Sequence, residues 1–247
     1  MPWVAPSPST RGPSAAIGNR TGDRSVAGAF LARVYTFMAA GLGITGVVAL
    51  AMAASPAAMS FIFGGRWVLM GLIGAELLLV FAFARVAARA SAGAAGLMLL
   101  AFAVLNGVTM ASIFLVYTRG SIGSTFLVTG GMFAALAAYG TATKRDLSSL
   151  GSFAMMGLVG LVIASLVNVF LGSPMLNWLT TFVGVIVFVA LTIYDTAKLK
   201  AIAAQSVGQG PGVETKLALQ GALSLYLDFI NLFLILLRIF GGGRRRD

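Results

Sequence analysis

The sequence predicts an all-α membrane protein, a bundle of seven transmembrane helices with the last helix central. Three observations carry that expectation: an overwhelmingly apolar composition, seven separate apolar segments of spanning length, and a line of polar side chains on one face of the last segment. Hydrophobic residues make up 59% of the 247 and charged residues only 10%, with a mean hydropathy of +0.96. A soluble domain carries about 25% charged residues, and a chain this apolar has no means of hiding its surface from water. Cys and His are both absent. Their absence excludes disulfides, thiolate nucleophiles, His-ligated zinc, Ser-His-Asp hydrolysis and an imidazole switch. The sequence offers no metal ligand set and implies no cofactor, so proton chemistry near neutral pH falls to carboxylates.

Residues 1–24 are rich in Pro, Ser, Gly and Arg, contain no apolar run and read as a disordered tail without the core of a signal peptide. The membrane domain is expected over 25–240, with a short basic tail over 241–247. Its apolar segments are 30–54, 67–84, 92–117, 122–143, 151–171, 176–196 and 217–240. Each is near the ~20 residues a helix needs to cross the hydrocarbon core. A helix satisfies its own backbone there, whereas barrel strands would be shorter and would alternate. Small residues recur at i, i+4, as in Ala92 with Gly96 and Gly131 with Ala135, a spacing that lets helix backbones approach. The run Gly208 to Gly212 is a turn before the last span and lacks the Lys-Ser/Thr ending of a phosphate loop.

The net charge of +10 suggests nucleic acid, but the basic residues lie in short segments between spans and form no contiguous surface for a phosphate backbone. Seven spans alternate the loops between two sides. Arg11, Arg20, Arg24, Arg33, Arg85, Arg89, Lys144, Arg145, Lys198, Lys200 and Lys216 fall on one side. Arg66, Arg119 and Arg244 to Arg246 fall on the other. The positive-inside rule then places the N-terminus in the cytoplasm of a multi-pass cell-membrane protein.

Of the seven acidic residues, Asp23, Asp146, Glu214 and Asp247 lie in tails or loops, whereas Glu76, Asp195 and Asp228 lie within or at the edge of apolar segments. A charged carboxylate at mid-bilayer costs ~2.5–3.5 kcal/mol on insertion scales, so these three must pair, protonate or face water. In the last span, Gln220, Ser224, Asp228, Asn231 and Arg238 fall within an arc of ~80° at about 100° per residue. Such a stripe belongs against protein or water. Asn177, Thr181, Thr192 and Asp195 share a face of the sixth span by the same arithmetic, so two helices each offer an aspartate to the interior. The two meet only if the sixth span continues past its apolar edge or the seventh begins outside the membrane. Asn106 in the third span reads as a bond to another helix.

Three stretches carry a resemblance to a known family: Leu223-Ser-Leu-Tyr-Leu-Asp-Phe-Ile-Asn-Leu-Phe233 followed by Leu236-Leu237-Arg238, then Ile193-Tyr-Asp-Thr196 with Lys198, and Lys144-Arg-Asp-Leu-Ser148. They resemble the Bax inhibitor-1/YccA family, also called the transmembrane Bax-inhibitor-motif family, across roughly residues 25–240. The resemblance implies a pH-sensitive leak of calcium, with Asp195 and Asp228 as the pH-sensing pair and Glu76 with Arg238 as an ion pair. It also implies an arginine latch, whose family position falls at Ala87, between the candidates Arg85 and Arg89. Partners implied are the lipid bilayer, calcium ions as the transported species, and a membrane protease or other membrane protein.

Two carboxylates in contact do not both stay ionised cheaply, so a close pair shares a proton. The proton would draw the last two helices together, and ionised carboxylates would attract a divalent cation. The enzymatic alternative is an intramembrane aspartyl protease. Against it, Asp228 follows Leu-Tyr-Leu rather than Gly-x-Gly, and no Pro-Ala-Leu motif is present; the chain is not expected to be an enzyme. The remaining alternative is regulation by binding a membrane protease or stress-response partner.

Overall fold

The computed structural model describes residues 13–86, 90–206 and 209–242, and these are helical with short connections. The order is α1 (Pro13–Ala53), α2 (Pro56–Gly64), α3 (Arg66–Val86), α4 (Ala92–Met110), α5 (Ile113–Val116), α6 (Arg119–Ala142), α7 (Ser148–Leu171), α8 (Pro174–Ser206) and α9 (Pro211–Phe240). Among the described residues, six helices are long and apolar enough to cross a bilayer, and counting the bent pair α2–α3 as one span makes seven.

The breaks follow local chemistry. Ser55 accepts a hydrogen bond from the Ala58 amide (3.3 Å) ahead of Pro56, which begins α2. Ser91 caps α4 through the Ala94 amide (3.2 Å), and Thr118 caps α6 through the Ser121 amide (3.2 Å). Asp146 accepts both the amide (2.9 Å) and the hydroxyl (2.6 Å) of Ser148 at the start of α7. Those bonds, the hydroxyl first, hold its carboxyl below the usual carboxylate range. Gly172 ends α7 at φ 59°, and Gly210 turns the chain into α9 at φ 89°, conformations that favour glycine.

Several boundaries differ from the sequence expectation. α1 reaches back to Pro13, so residues 13–24, expected as tail, continue the first helix, because propagating a formed helix fixes only one residue per new bond. Residues 1–12 lie outside the description, as do 243–247 of the basic tail. The second expected segment, 67–84, is the single helix α3, and it is preceded by a short helix not expected from the sequence, α2, which meets it at 84°. The third is α4 followed by the single turn α5. The sixth and seventh are longer than their apolar runs, by ten residues after 196 and by six before 217.

α9 is the hub. It packs against α1, α4, α6 and α8, and Leu225, Tyr226, Leu232 and Leu237 on its different faces are fully buried. α7 is the opposite case, resting on α8 and turning Val169, Phe170 and Leu171 outward. An apolar surface like that of α7 suits acyl chains.

Candidate functional site

The contact between α8 and α9 sets the depth of the two aspartates. A Cβ on Gly221 would run into Leu199, and one on Gly184 would meet Ile235 Cδ1 at 2.7 Å. These two close approaches fix an antiparallel register that places Asp195 opposite Ser224 and Asp228 opposite Thr192, one helical turn deeper. The Ser224 hydroxyl is the hydrogen-bond partner of the Asp195 carboxylate, and Lys198 is the cation beside it. Asp195 is half-buried, while Asp228 is only 5% exposed.

Asp228 carries the unusual chemistry. Its Oδ2 is buried with no hydrogen-bond partner, and the charge that acts on the carboxylate is that of Asp195. α8 continues past its apolar edge and past Lys198 and Lys200 to Ser206, and α9 begins at Pro211, ahead of its own apolar run. The Lys200 ammonium is carried along α8 to the Thr141 carbonyl at the end of α6, so a basic side chain anchors the extension. Thr192 and Thr196 return their hydroxyls to their own helix at Phe188 and Thr192, both at 2.7 Å. They offer Asp228 no donor.

A second polar cluster lies on another side of α9. The Tyr226 hydroxyl donates to Asn106 Oδ1 (2.9 Å) and stands 2.7 Å from Thr45 Oγ1, which in turn lies 2.9 Å from the Ala103 carbonyl oxygen. Tyr226 is fully buried and its ring meets Phe102 edge-on at 5.6 Å. Next to this cluster, Glu76 accepts the Thr109 hydroxyl at 2.6 Å and borders a cavity of about 440 Å³ between α3, α4 and α9 that also exposes Asn106, Ser112 and Asn231. Asn106 thus does bond another helix, as its sequence reading held. Thr45 and Tyr226 were not singled out, since a lone hydroxyl in an apolar run gives no spacing signal. The one cue is that a buried tyrosine finds a partner for its hydroxyl.

This geometry can be set beside known proteins. A family model described as inhibitor of apoptosis-promoting Bax1 matches residues 27–246. An Escherichia coli K12 protein named inner membrane protein YbhL is 49% identical over 215 residues, covering 87% of this chain and 92% of its own. A Borreliella burgdorferi protein is 40% identical over 218 residues (88% and 93%), and one from Rickettsia prowazekii is 37% identical over 221 (88% and 90%). The chain belongs to the Bax inhibitor-1/YccA family. It is a multi-pass membrane protein of that family, with its motif residues on α8, on α9 and in the connection from α6 to α7.

Two features expected from the Bax inhibitor-1/YccA pattern take other partners here. Glu76 and Arg238 make no ion pair among the described residues. Arg238 lies seven residues beyond Asn231, about 10 Å farther along α9, and its guanidinium donates to Asn177 Oδ1 (3.2 Å) and Thr181 Oγ1 (3.3 Å) at the start of α8. Glu76 takes Thr109 instead. Arg85 is exposed on the face of α3 opposite Glu76 and forms no ion pair among the described residues, so it does not latch the aspartates. The other latch candidate, Arg89, lies outside the described residues. Of the polar stripe, Ser224 and Asp228 join the site, Asn231 donates to the Leu227 carbonyl (2.8 Å) and borders the Glu76 cavity, and Gln220 is half-buried.

Proposed function

We propose that this protein is a pH-sensitive leak channel for calcium in the cell membrane, gated by Asp195 and Asp228. The observation that carries the reading is Asp228 Oδ2, a carboxylate oxygen buried without a donor, with a second carboxylate as its charged neighbour. A buried oxygen of this kind wants either a proton or a cation. A proton shared across α8 and α9 removes the repulsion and holds the helices in contact. Without it, two like charges oppose each other in the bundle and offer hard oxygen ligands to a divalent ion. The proton is therefore the gate and the carboxylates are the ion's entry point.

The orientation that fits the basic residues puts the N-terminus in the cytoplasm. The pair then sits in the cytoplasmic half of the molecule, with Asp195 eleven residues, about 16 Å, before the end of α8. The reading assigns no catalysis to the pair. A membrane protease or other membrane protein is a further partner in the proposal, bound at the bundle's surface rather than at the pair.

Calcium entry into proteoliposomes between pH 6 and 8 is the test. The expected result is a rate that changes with pH in the wild type and loses that dependence in Asp195→Asn and in Asp228→Asn. A rate indifferent to pH, or pH-dependent to the same degree in both variants, removes the gate from these residues.

A further inference from the structure

A groove of about 300 Å³ with an almost wholly apolar wall lies between α1 and α6, on the opposite side of α9 from α8. α1 and α6 both pack on α9 and stand apart from each other there, so the floor is α9 itself, at Ile230 and Phe233. Gly46 on α1 and Gly123 on α6 face this space. A Cβ built on either would meet nothing within 4 Å. Neither glycine serves a close helix approach; together they keep a gap open.

The groove has a charged mouth. Arg119, the first residue of α6, borders it one turn above Gly123, is exposed, and forms no ion pair among the described residues. An arginine at the end of a span sits at headgroup level. A cation at the boundary, above a channel for hydrocarbon about two turns deep, matches a molecule with a phosphate at one end and an acyl chain at the other. We infer that this groove is a phospholipid site, with the phosphate on Arg119 and one acyl chain running past Gly123 and Phe126 to Ile230 and Phe233. The lipid comes from the leaflet on the Arg119 side. Its chain touches the same central helix that carries Asp228, at the neighbouring turn.

Photolabelling tests the site in the full-length protein, reconstituted in phosphatidylethanolamine–phosphatidylglycerol vesicles. The probe is a phosphatidylglycerol with a diazirine on one acyl chain, and a diacylglycerol carrying the same chain is the control. The expected label falls on Ile230 or Phe233, both buried in the bundle beneath the groove. Filling the groove with Gly46→Leu and Gly123→Leu should abolish that label while Phe170 on α7 stays labelled. Arg119→Gln should lower labelling by the phospholipid roughly fivefold, the worth of one basic residue at an anionic surface, and leave the diacylglycerol unchanged. This arm decides the matter if the groove-filled variant fails to fold. No label on Ile230 or Phe233, an undiminished label in the filled variant, or equal behaviour of the two probes each overturns the assignment.

Discussion

The Tyr226 hydroxyl joins three helices, reaching Asn106 on α4 and Thr45 on α1 from the centre of α9. Interhelical hydrogen bonds in membranes average ~0.6 kcal/mol and reach ~1.7 kcal/mol. A hydroxyl that serves two buried groups belongs at the upper end, because its removal takes the donor from Asn106 Oδ1 and one of two contacts from Thr45, which keeps the Ala103 carbonyl. Tyr226→Phe keeps the ring that packs on Phe102, so it isolates the hydroxyl, and it should cost about 1–2 kcal/mol in unfolding measured in detergent. A variant as stable as the wild type would mean that the network holds nothing together. The same residue marks a limit of sequence reading. Asp228 and Asp195 announce themselves because charge is scarce in an apolar run and each lies on a polar face. Tyr226 lies about 200° around α9 from Asp228, outside the stripe, and its partners come from helices more than 100 residues away.

At the scale of elements, hydropathy located the spans but not the contacts between them. The glycines of the two example pairs, Gly96 and Gly131, do not mark tight crossings. A Cβ on Gly131 would meet nothing within 4 Å, and one on Gly96 would make only ordinary contact with Leu219. One intimate crossing is at Gly140, where a Cβ would stand 2.6 Å from the Ile193 carbonyl oxygen and 3.0 Å from Thr196 Cβ. Backbone cannot move aside as a flexible side chain can. Gly140→Ala should therefore separate α6 from α8 and destabilise by about 1–3 kcal/mol. Gly131→Ala should be neutral or stabilising by up to about 1 kcal/mol, since alanine is the better helix former. Thermal unfolding of the two variants side by side checks this, and equal losses would contradict the packing described. Spacing alone does not separate the two positions, because an alanine- and glycine-rich membrane helix contains such pairs by chance. The short helix α2 ahead of the second span was illegible for a related reason: it is as apolar as a spanning segment, its start is set by Ser55-Pro56, and its bend into α3 falls at the Gly64-Gly65 junction rather than at a change of polarity.

For the molecule as a whole, the central place of α9 was legible because a polar stripe needs protein or water around it. The stripe nevertheless describes one face only. α9 is buried by apolar side chains on its other faces too, and nothing in its sequence distinguishes those from faces turned to lipid. Lipid and protein interior have the same polarity, so hydropathy sees them alike. The family's second ion pair failed for a reason of distance along the helix. Arg238 sits at the boundary, where Asn177 and Thr181 are nearer than Glu76. The proposed function rests on the joint between α8 and α9, to which each helix brings one carboxylate and where a shared proton is proposed to hold the contact. The chain contains no cysteine, so single cysteines placed at exposed Ala204 on α8 and Val213 on α9 give a clean pair of spin-label sites. The decisive measurement is the distance distribution between these labels at pH 6 and at pH 8 in liposomes, with and without Asp195→Asn and Asp228→Asn. A distribution that shifts with pH in the otherwise native protein and stays fixed in the double variant is the expected result. Identical distributions at the two pH values, or a shift that survives loss of both carboxylates, would contradict the account.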